Sequence, residues 1–330
     1  MLNKNGGALR RILAGAMVCY LIFGNIMVAA NTQNPRTANF DFEWKFVKAD
    51  VPGAQTVAAD DSRWSGAQLP HDWSIEGPKS QSNPAGERGG FLPGGIGWYR
   101  KYFQLPEADH DKKVFIQFDG IYHNSEVWIN GHSLGRRPYG YISFQHDLTP
   151  YVRFGKENVI AVRVDNSDQP NCRWYSGSGI YRHVWLTVTD RLHVAHWGTY
   201  ITTPEISRGS AVVRVRTRVT NDTQEASTCQ VVTTIRSPQG RVITKLMSSE
   251  TIPAQAEHLF DQQAQVTKPT LWSIDTPALY QAKTQILAGQ RACDETETAF
   301  GIRTIQFDKD KGFLLNGQPM KAKCSKRCWR

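Results

Sequence analysis

A chain of 330 residues with 40% hydrophobic and 21% charged side chains has enough apolar material for two or three packed domains, which excludes a disordered or collagen-like polymer. The formal charge of +9 is confined to the ends: Lys4, Arg10 and Arg11 near the start, and Lys321, Lys323, Lys326, Arg327 and Arg330 at the finish. These eight leave 31 of the 39 basic residues against all 30 acids in between, so the body is nearly neutral and no nucleic-acid partner is expected.

The chain opens with a positively charged stretch, an apolar run from Ile12 to Val28 and the small residues Val28-Ala29-Ala30. That order reads as a secretory signal peptide over 1–30 and predicts an exported protein, periplasmic or extracellular, with no membrane association after cleavage. The alternative is an uncleaved anchor, because the run is close to the shortest length that spans a bilayer. Of the six cysteines, Cys19 lies in the leader and Cys324 and Cys328 in an odd terminal tail. Cys172, Cys229 and Cys293 are too scattered for a disulfide framework.

Beyond residue 40 no helical period is sustained. Lys113 to Asp119 places Val114, Ile116 and Phe118 on one face, Glu126 to Asn130 reads as a strand ending in the hairpin signal Asn130-Gly131, and Asn158 to Asp165 turns Ile160, Val162 and Val164 inward. The one helix expected is a short turn around Leu148 to Arg153. A second block begins near Arg191. There Val213, Val215, Thr217 and Val219 alternate with Arg214, Arg216 and Arg218, an arginine stripe read as a solvated strand face rather than a basic binding surface. Gln230 to Arg236 follows, with a turn at Ser237 to Gly240 leading into Val242 to Leu246. Two short strands, Thr304 to Phe307 and Gly312 to Leu315, come after Phe300. The predicted fold class is all-β: a jelly-roll sandwich over 36–190 followed by an immunoglobulin-like sandwich over 191–300.

The densest functional stretch is Asp165 to Arg182, in which Trp and Tyr rings offer apolar faces to pyranose rings and Asn, Asp and Arg offer groups for hydroxyls. A second polar-aromatic loop, Leu69 to Trp73, precedes a glycine-rich run from Gly86 to Gly97. Gly177-Ser178-Gly179 lacks the flanks of a nucleophile elbow, the glycine run follows no strand-to-helix unit, and no histidine pair has metal spacing. No metal or cofactor is therefore expected.

These segments carry a family resemblance. Leu69-Pro-His-Asp-Trp73, Gly97-Trp-Tyr-Arg-Lys101, Phe118-Asp-Gly-Ile-Tyr122, Val127-Trp-Ile-Asn-Gly131, Pro138-Tyr-Gly-Tyr141, Val162-Arg-Val-Asp-Asn166 and Arg173-Trp-Tyr-Ser-Gly-Ser-Gly-Ile-Tyr-Arg182 resemble the sugar-binding domain of glycoside hydrolase family 2, in the wording of bacterial β-galactosidases. Leu271 to Tyr280 is similar to the late strands of that family's immunoglobulin-like domain, and Phe300 to Arg303 with Phe313 to Gly317 to the hairpin that leads into its catalytic barrel.

The resemblance implies a galactose-type ligand near the 165–182 loop, with Asn171 and Arg173 binding hydroxyls and Trp174 and Tyr175 shaping the wall, unless Arg173 and Trp174 only brace the loop. It implies a lesser role for Asn83. Cys172 stands where the family usually has a small hydroxyl residue. Residues 301–330 resemble the lead-in to a (β/α)8 barrel of about 250 further residues, but the Cys324-Ser-Lys-Arg-Cys328 ending departs from the family and reads as a frameshift or premature stop. Both glutamates that the resemblance implies as acid/base and nucleophile fall in that barrel, so no residue here inherits a catalytic role. The functional expectation is the N-terminal part of a β-galactosidase-like hydrolase without activity by itself; the alternatives are a stand-alone carbohydrate-binding module and an inert fragment.

Overall fold

The computed structural model describes residues 36–207 and 209–321. The expected leader at 1–30 and the Cys324–Cys328 ending lie outside the described residues.

Ten strands form the first domain: β1 (Thr37–Asn39), β2 (Trp44–Val47), β3 (Ser65–Ala67), β4 (Gly95–Gln104), β5 (Lys113–Phe118), β6 (Ser125–Ile129), β7 (His132–Arg137), β8 (Phe144–Asp147), β9 (Glu157–Asn166) and β10 (Val184–Thr189). They pair antiparallel into a six-stranded sheet, β3-β2-β4-β9-β6-β7, and a four-stranded sheet, β1-β10-β5-β8. Period-two alternation explains the core between them. Val114, Ile116 and Phe118 from one sheet meet Val127, Ile129, Ile160, Val162 and Val164 from the other, and every one of these is fully buried. The Asn130-Gly131 turn has φ of 50° and 86°, the paired positive values that a tight two-residue hairpin needs.

The alternation is incomplete in β9, where Val159 and Ala161 on the outward side are buried too. Ala54 from the long loop after β2 closes over Trp98 and Ala161, with Trp64 and Trp128 packed alongside. That loop is anchored by Arg100, which donates from Nε to Asp61 Oδ2 at 2.7 Å and from Nη1 to the Thr56 carbonyl at 2.8 Å. Burial alone would raise the Asp61 carboxyl, but Lys45, Tyr102 and Arg100 together hold it below the usual range.

The helix expectation is corrected. Residues 148–153 make a single turn, with the Tyr151 and Val152 amides donating to the Leu148 carbonyl. It goes no further: Asn158 Oδ1 takes the Arg153 amide at 2.7 Å, so that amide does not donate to the Thr149 carbonyl as the next helical bond would require. The α-helical turn is instead α1 (Trp73–Glu76), capped by Asp72, and at four residues it is too short to show a period in the sequence.

The second domain has β11 (Leu192–Ile206), β12 (Ser210–Asn221), β13 (Ser227–Arg236), β14 (Val242–Ile252), β15 (Ala256–Thr267), β16 (Tyr280–Ala288) and β17 (Arg291–Phe300). Sheets β11-β12-β15 and β14-β13-β16-β17 face each other around Val213, Val215, Val219, Val231, Ile235 and Ile286. The two domains are tied by Arg36, which donates to Asp294 Oδ2 at 2.7 Å and to the Val194 carbonyl at 2.6 Å.

A final hairpin follows, β18 (Ile305–Asp308), β19 (Gly312–Leu315) and β20 (Gln318–Pro319). Ile305 and Phe307 are exposed, but Leu314 and Leu315, which an unpartnered lead-in would expose, are buried. The segment is stitched to the sandwich: Ile302 is completely buried beside Tyr280 and Phe300, its carbonyl accepts from the Trp272 amide at 2.8 Å, and Asn316 Nδ2 donates to the Trp272 carbonyl at 3.0 Å. Through Ile302 and Asn316 the segment is thus held to the second domain.

Candidate functional site: the 165–182 loop and its aromatic rim

The loop between β9 and β10 is held by two polar hubs. Asn166 is one: its Nδ2 donates to the Gly177 carbonyl at 2.9 Å and to Ser178 Oγ at 2.6 Å, while its Oδ1 accepts from Gln169 at 2.6 Å and Asn171 at 2.7 Å. Asp72, the cap of α1, is the other. One carboxylate oxygen accepts from the Ser74 and Ser178 amides at 3.0 and 2.9 Å, and the second accepts from the Tyr175 hydroxyl. Ser74 Oγ adds a bond to Ser178 Oγ at 2.6 Å. Gly179 runs so close to the wall that a Cβ there would meet the Tyr99 hydroxyl at 2.3 Å, and its φ of 117° suits glycine alone.

The four loop candidates divide by what these hubs do. Asn171 points inward. Besides Asn166 it contacts His123 Nε2 at 3.0 Å and accepts from the Tyr122 hydroxyl at 3.2 Å, so its polar atoms are spent on the loop itself. Burial, first, pushes the Tyr122 phenol up to about 12 and the His123 imidazole down, which keeps both neutral around Asn171. Arg173, Trp174 and Tyr175 point outward. Trp174 is 60% exposed, with its indole N–H donating to the Tyr141 hydroxyl at 3.3 Å. Burial and then Asp72 push the Tyr175 phenol far up, so it remains a donor to Asp72 while the residue stays exposed. No hydrogen bond from the Arg173 guanidinium occurs among the described residues. Asn83 is apart from the others: its amide donates to the carbonyls of Pro78 and Phe91 and closes the glycine-rich loop. The Cys172 thiol donates to the Trp174 carbonyl, so this position retains a donor despite the departure from a hydroxyl residue.

Between the loop and the segment after α1 lies a narrow cleft of about 20 Å³, lined by Ser74, Pro93, Gly94, Gln169, Trp174 and Tyr175. Sequence reasoning singled out the loop but not the rest of its rim. Tyr139 and Tyr141, from the loop before β8, are both exposed and 5.7 Å apart, and Tyr141 joins the Trp174 side of the cleft. Their signal was the Pro138-Tyr-Gly-Tyr141 motif, whose place beside Trp174 only the fold discloses. Chemically the rim offers aromatic faces, and the exposed Arg173 sits on the same loop outside the cleft lining. Asp72, which anchors Tyr175, already accepts from three donors and is not poised as a base or nucleophile. Among the described residues no cluster of His, Cys, Asp and Glu could hold a metal ion.

Residues 37–190 match the family description "Glycosyl hydrolases family 2, sugar binding domain", and residues 193–303 match "Glycosyl hydrolases family 2". The chain belongs to glycosyl hydrolase family 2. It is 47% identical over 284 residues to β-galactosidase BoGH2A of Bacteroides ovatus, covering 86% of this chain and 33% of that protein. A putative β-glucuronidase of Formosa agariphila is 38% identical over 322 residues, 98% of this chain and 30% of that one. Among solved structures, a family 2 member from Bacteroides cellulosilyticus superposes with a TM-score of 0.85 at 39% identity, covering 87% of this chain and 38% of the other. This chain thus spans about a third of the length of the curated relatives it matches.

Proposed function

We propose that the two family 2 domains serve a β-glycosidase, with the first domain recognising the sugar and the hydrolytic carboxylates supplied by sequence of the kind that fills the remaining length of the relatives. The carrying observation is the division of labour in the 165–182 loop. Asn166, Asn171 and Asp72 spend their polar groups on rigidity, while Trp174, Tyr175 and Arg173 face solvent from that rigid frame. Preorganised aromatic platforms lose little entropy on stacking a pyranose. A β-galactoside is the first choice of ligand, on the resemblance and on the relative from Bacteroides ovatus. A β-glucuronide is the second, favoured by the Formosa agariphila relative and by the free Arg173 guanidinium, which suits a carboxylate.

Titrating the chain with methyl β-galactoside and methyl β-glucuronide while following Trp174 by fluorescence or NMR tests this reading. Saturable binding that Trp174→Ala removes supports it, and no binding of either sugar at tens of millimolar rejects it. The chain alone is expected to hydrolyse neither aryl glycoside. Turnover abolished by changing a carboxylate within 36–321 would place the chemistry here instead. We also propose export, on the leader pattern of residues 1–30; an N-terminus that retains Met1 after expression in a secreting bacterium overturns this.

A further inference from the structure

The outward face of β11, β12 and β15 carries the arginine stripe, and its three arginines are not alike. Arg214 is gripped by Asp261, with Nε to Oδ1 at 2.8 Å, and Arg218 pairs with Glu257 at 3.2 Å. For these two a solvated strand face is the full explanation. Arg216 lies between them and opposite Asp261 in register, yet that carboxylate is turned to Arg214, and the Arg216 guanidinium sits 4.9 Å from the ring centre of Tyr200 instead. No carboxylate pairs with Arg216 among the described residues.

Next to this unmatched charge the fold exposes two large rings, Tyr200 at 56% and Trp197 at 70%. Trp197 is not outward by simple alternation. Pairing of β11 with β12 slips between Val194 and Thr199, Trp197 takes φ of 50°, and Gly198 is so tightly placed that a Cβ would meet the Ala195 and Arg218 carbonyls at 2.8 Å. A β-bulge re-aims one side chain, and a bulky residue in the left-handed region is costly, so this geometry needs a reason. His196 stacks on Trp197 with ring centres 4.4 Å apart. Burial, then Arg36, push the His196 imidazole down, so the imidazole beside Trp197 is held neutral and Arg216 is the cation on this side of the depression. These side chains, with Glu257 and Leu259, line an open depression of about 500 Å³, roomier than the cleft in the first domain.

We propose that this depression is a second carbohydrate-binding site, for oligosaccharides that bear a carboxylate. Trp197 stacks a pyranose ring, Arg216, oriented on Tyr200, takes the sugar carboxylate through two parallel N–H donors, and Glu257 accepts from hydroxyls. The site lies on the second domain and stands independently of the reading given for the 165–182 loop.

Calorimetric titration of the full chain with a β-linked mannuronate tetramer, and with cellotetraose as its neutral counterpart, decides the matter. The acidic tetramer is expected to bind at least about tenfold more tightly than cellotetraose, a factor set by one charge-assisted bidentate contact. Arg216→Gln should bring the two ligands level, and Trp197→Ala should weaken both about tenfold. Trp197→Leu keeps an apolar side chain on the bulge and should lose binding without losing thermal stability. Absence of binding at millimolar ligand, equal affinity for cellotetraose, or unchanged affinity in both Trp197 variants overturns the proposal. So does a dimer in sedimentation that Trp197→Ala dissolves, because Trp197 would then belong to an interface between copies.

Discussion

The carboxylate of Asp72 accepts the backbone amide of Ser178 at 2.9 Å across 106 residues of sequence while capping its own helical turn through Ser74. One side chain thereby anchors both the loop that carries Trp174 and Tyr175 and the turn that backs it. Asp72→Ala removes a helix cap, typically about 1 kcal/mol, and strands two further donors, for about 2 to 4 kcal/mol in total. Urea unfolding should show that loss, and a cost below about 1 kcal/mol would mean that the loop is held elsewhere.

Asn171 and Trp174 should separate bracing from recognition. Asn171→Ala leaves Asn166 Oδ1, His123 and the Tyr122 hydroxyl short of a partner, and is expected to cost about 1 to 3 kcal/mol of stability. Trp174→Ala removes an exposed ring and should change stability by less than about 0.5 kcal/mol while abolishing sugar binding. The reverse pattern would exchange their roles.

Cutting the chain after Gly301 should destabilise it. Ile302 is fully buried, Leu314 and Leu315 are buried, and Asn316 donates to the Trp272 carbonyl of the second domain. The single change Ile302→Ala is expected to cost about 2 to 5 kcal/mol, and the deletion at least as much. A melting temperature that does not move in scanning calorimetry would show that the hairpin contributes nothing.

Acid should weaken the first domain through His146. Burial, with Arg137 adding to it, lowers this imidazole to about 4, and its Nε2 has no hydrogen-bond partner. The unfolded chain takes up the proton near the ordinary value of about 6.5. Between the two, the unfolded state binds more protons, so stability is fully present above about 6.5 and falls as pH drops toward 4, by at most about 1.4 kcal/mol per pH unit for one proton. His146→Phe should flatten that part of the stability profile measured by chemical unfolding at pH 7, 6 and 5. An unchanged slope would mean that His146 titrates normally.

Local pattern was enough to read much of this protein. Strands β5, β9 and β12 follow directly from alternation, because a period of two turns every second side chain to one face whatever lies opposite. The Asn130-Gly131 hairpin is likewise a property of two adjacent residues. The segments 69–73, 138–141 and 173–182 could be matched to family 2 as words, without any knowledge of how they meet. What alternation could not disclose was which polar groups were already taken. Asn171 and Arg173 look equally free as letters, yet one is consumed by Asn166, His123 and Tyr122 and the other is open to solvent. Arg214, Arg216 and Arg218 repeat at identical spacing, yet only the register of β12 against β15 and the bulge in β11 separate two paired arginines from an unpaired one. Hydrogen bonds and ion pairs in a sheet protein close over distances of tens to hundreds of residues, so tertiary structure alone decides which side chains build the frame and which remain to bind.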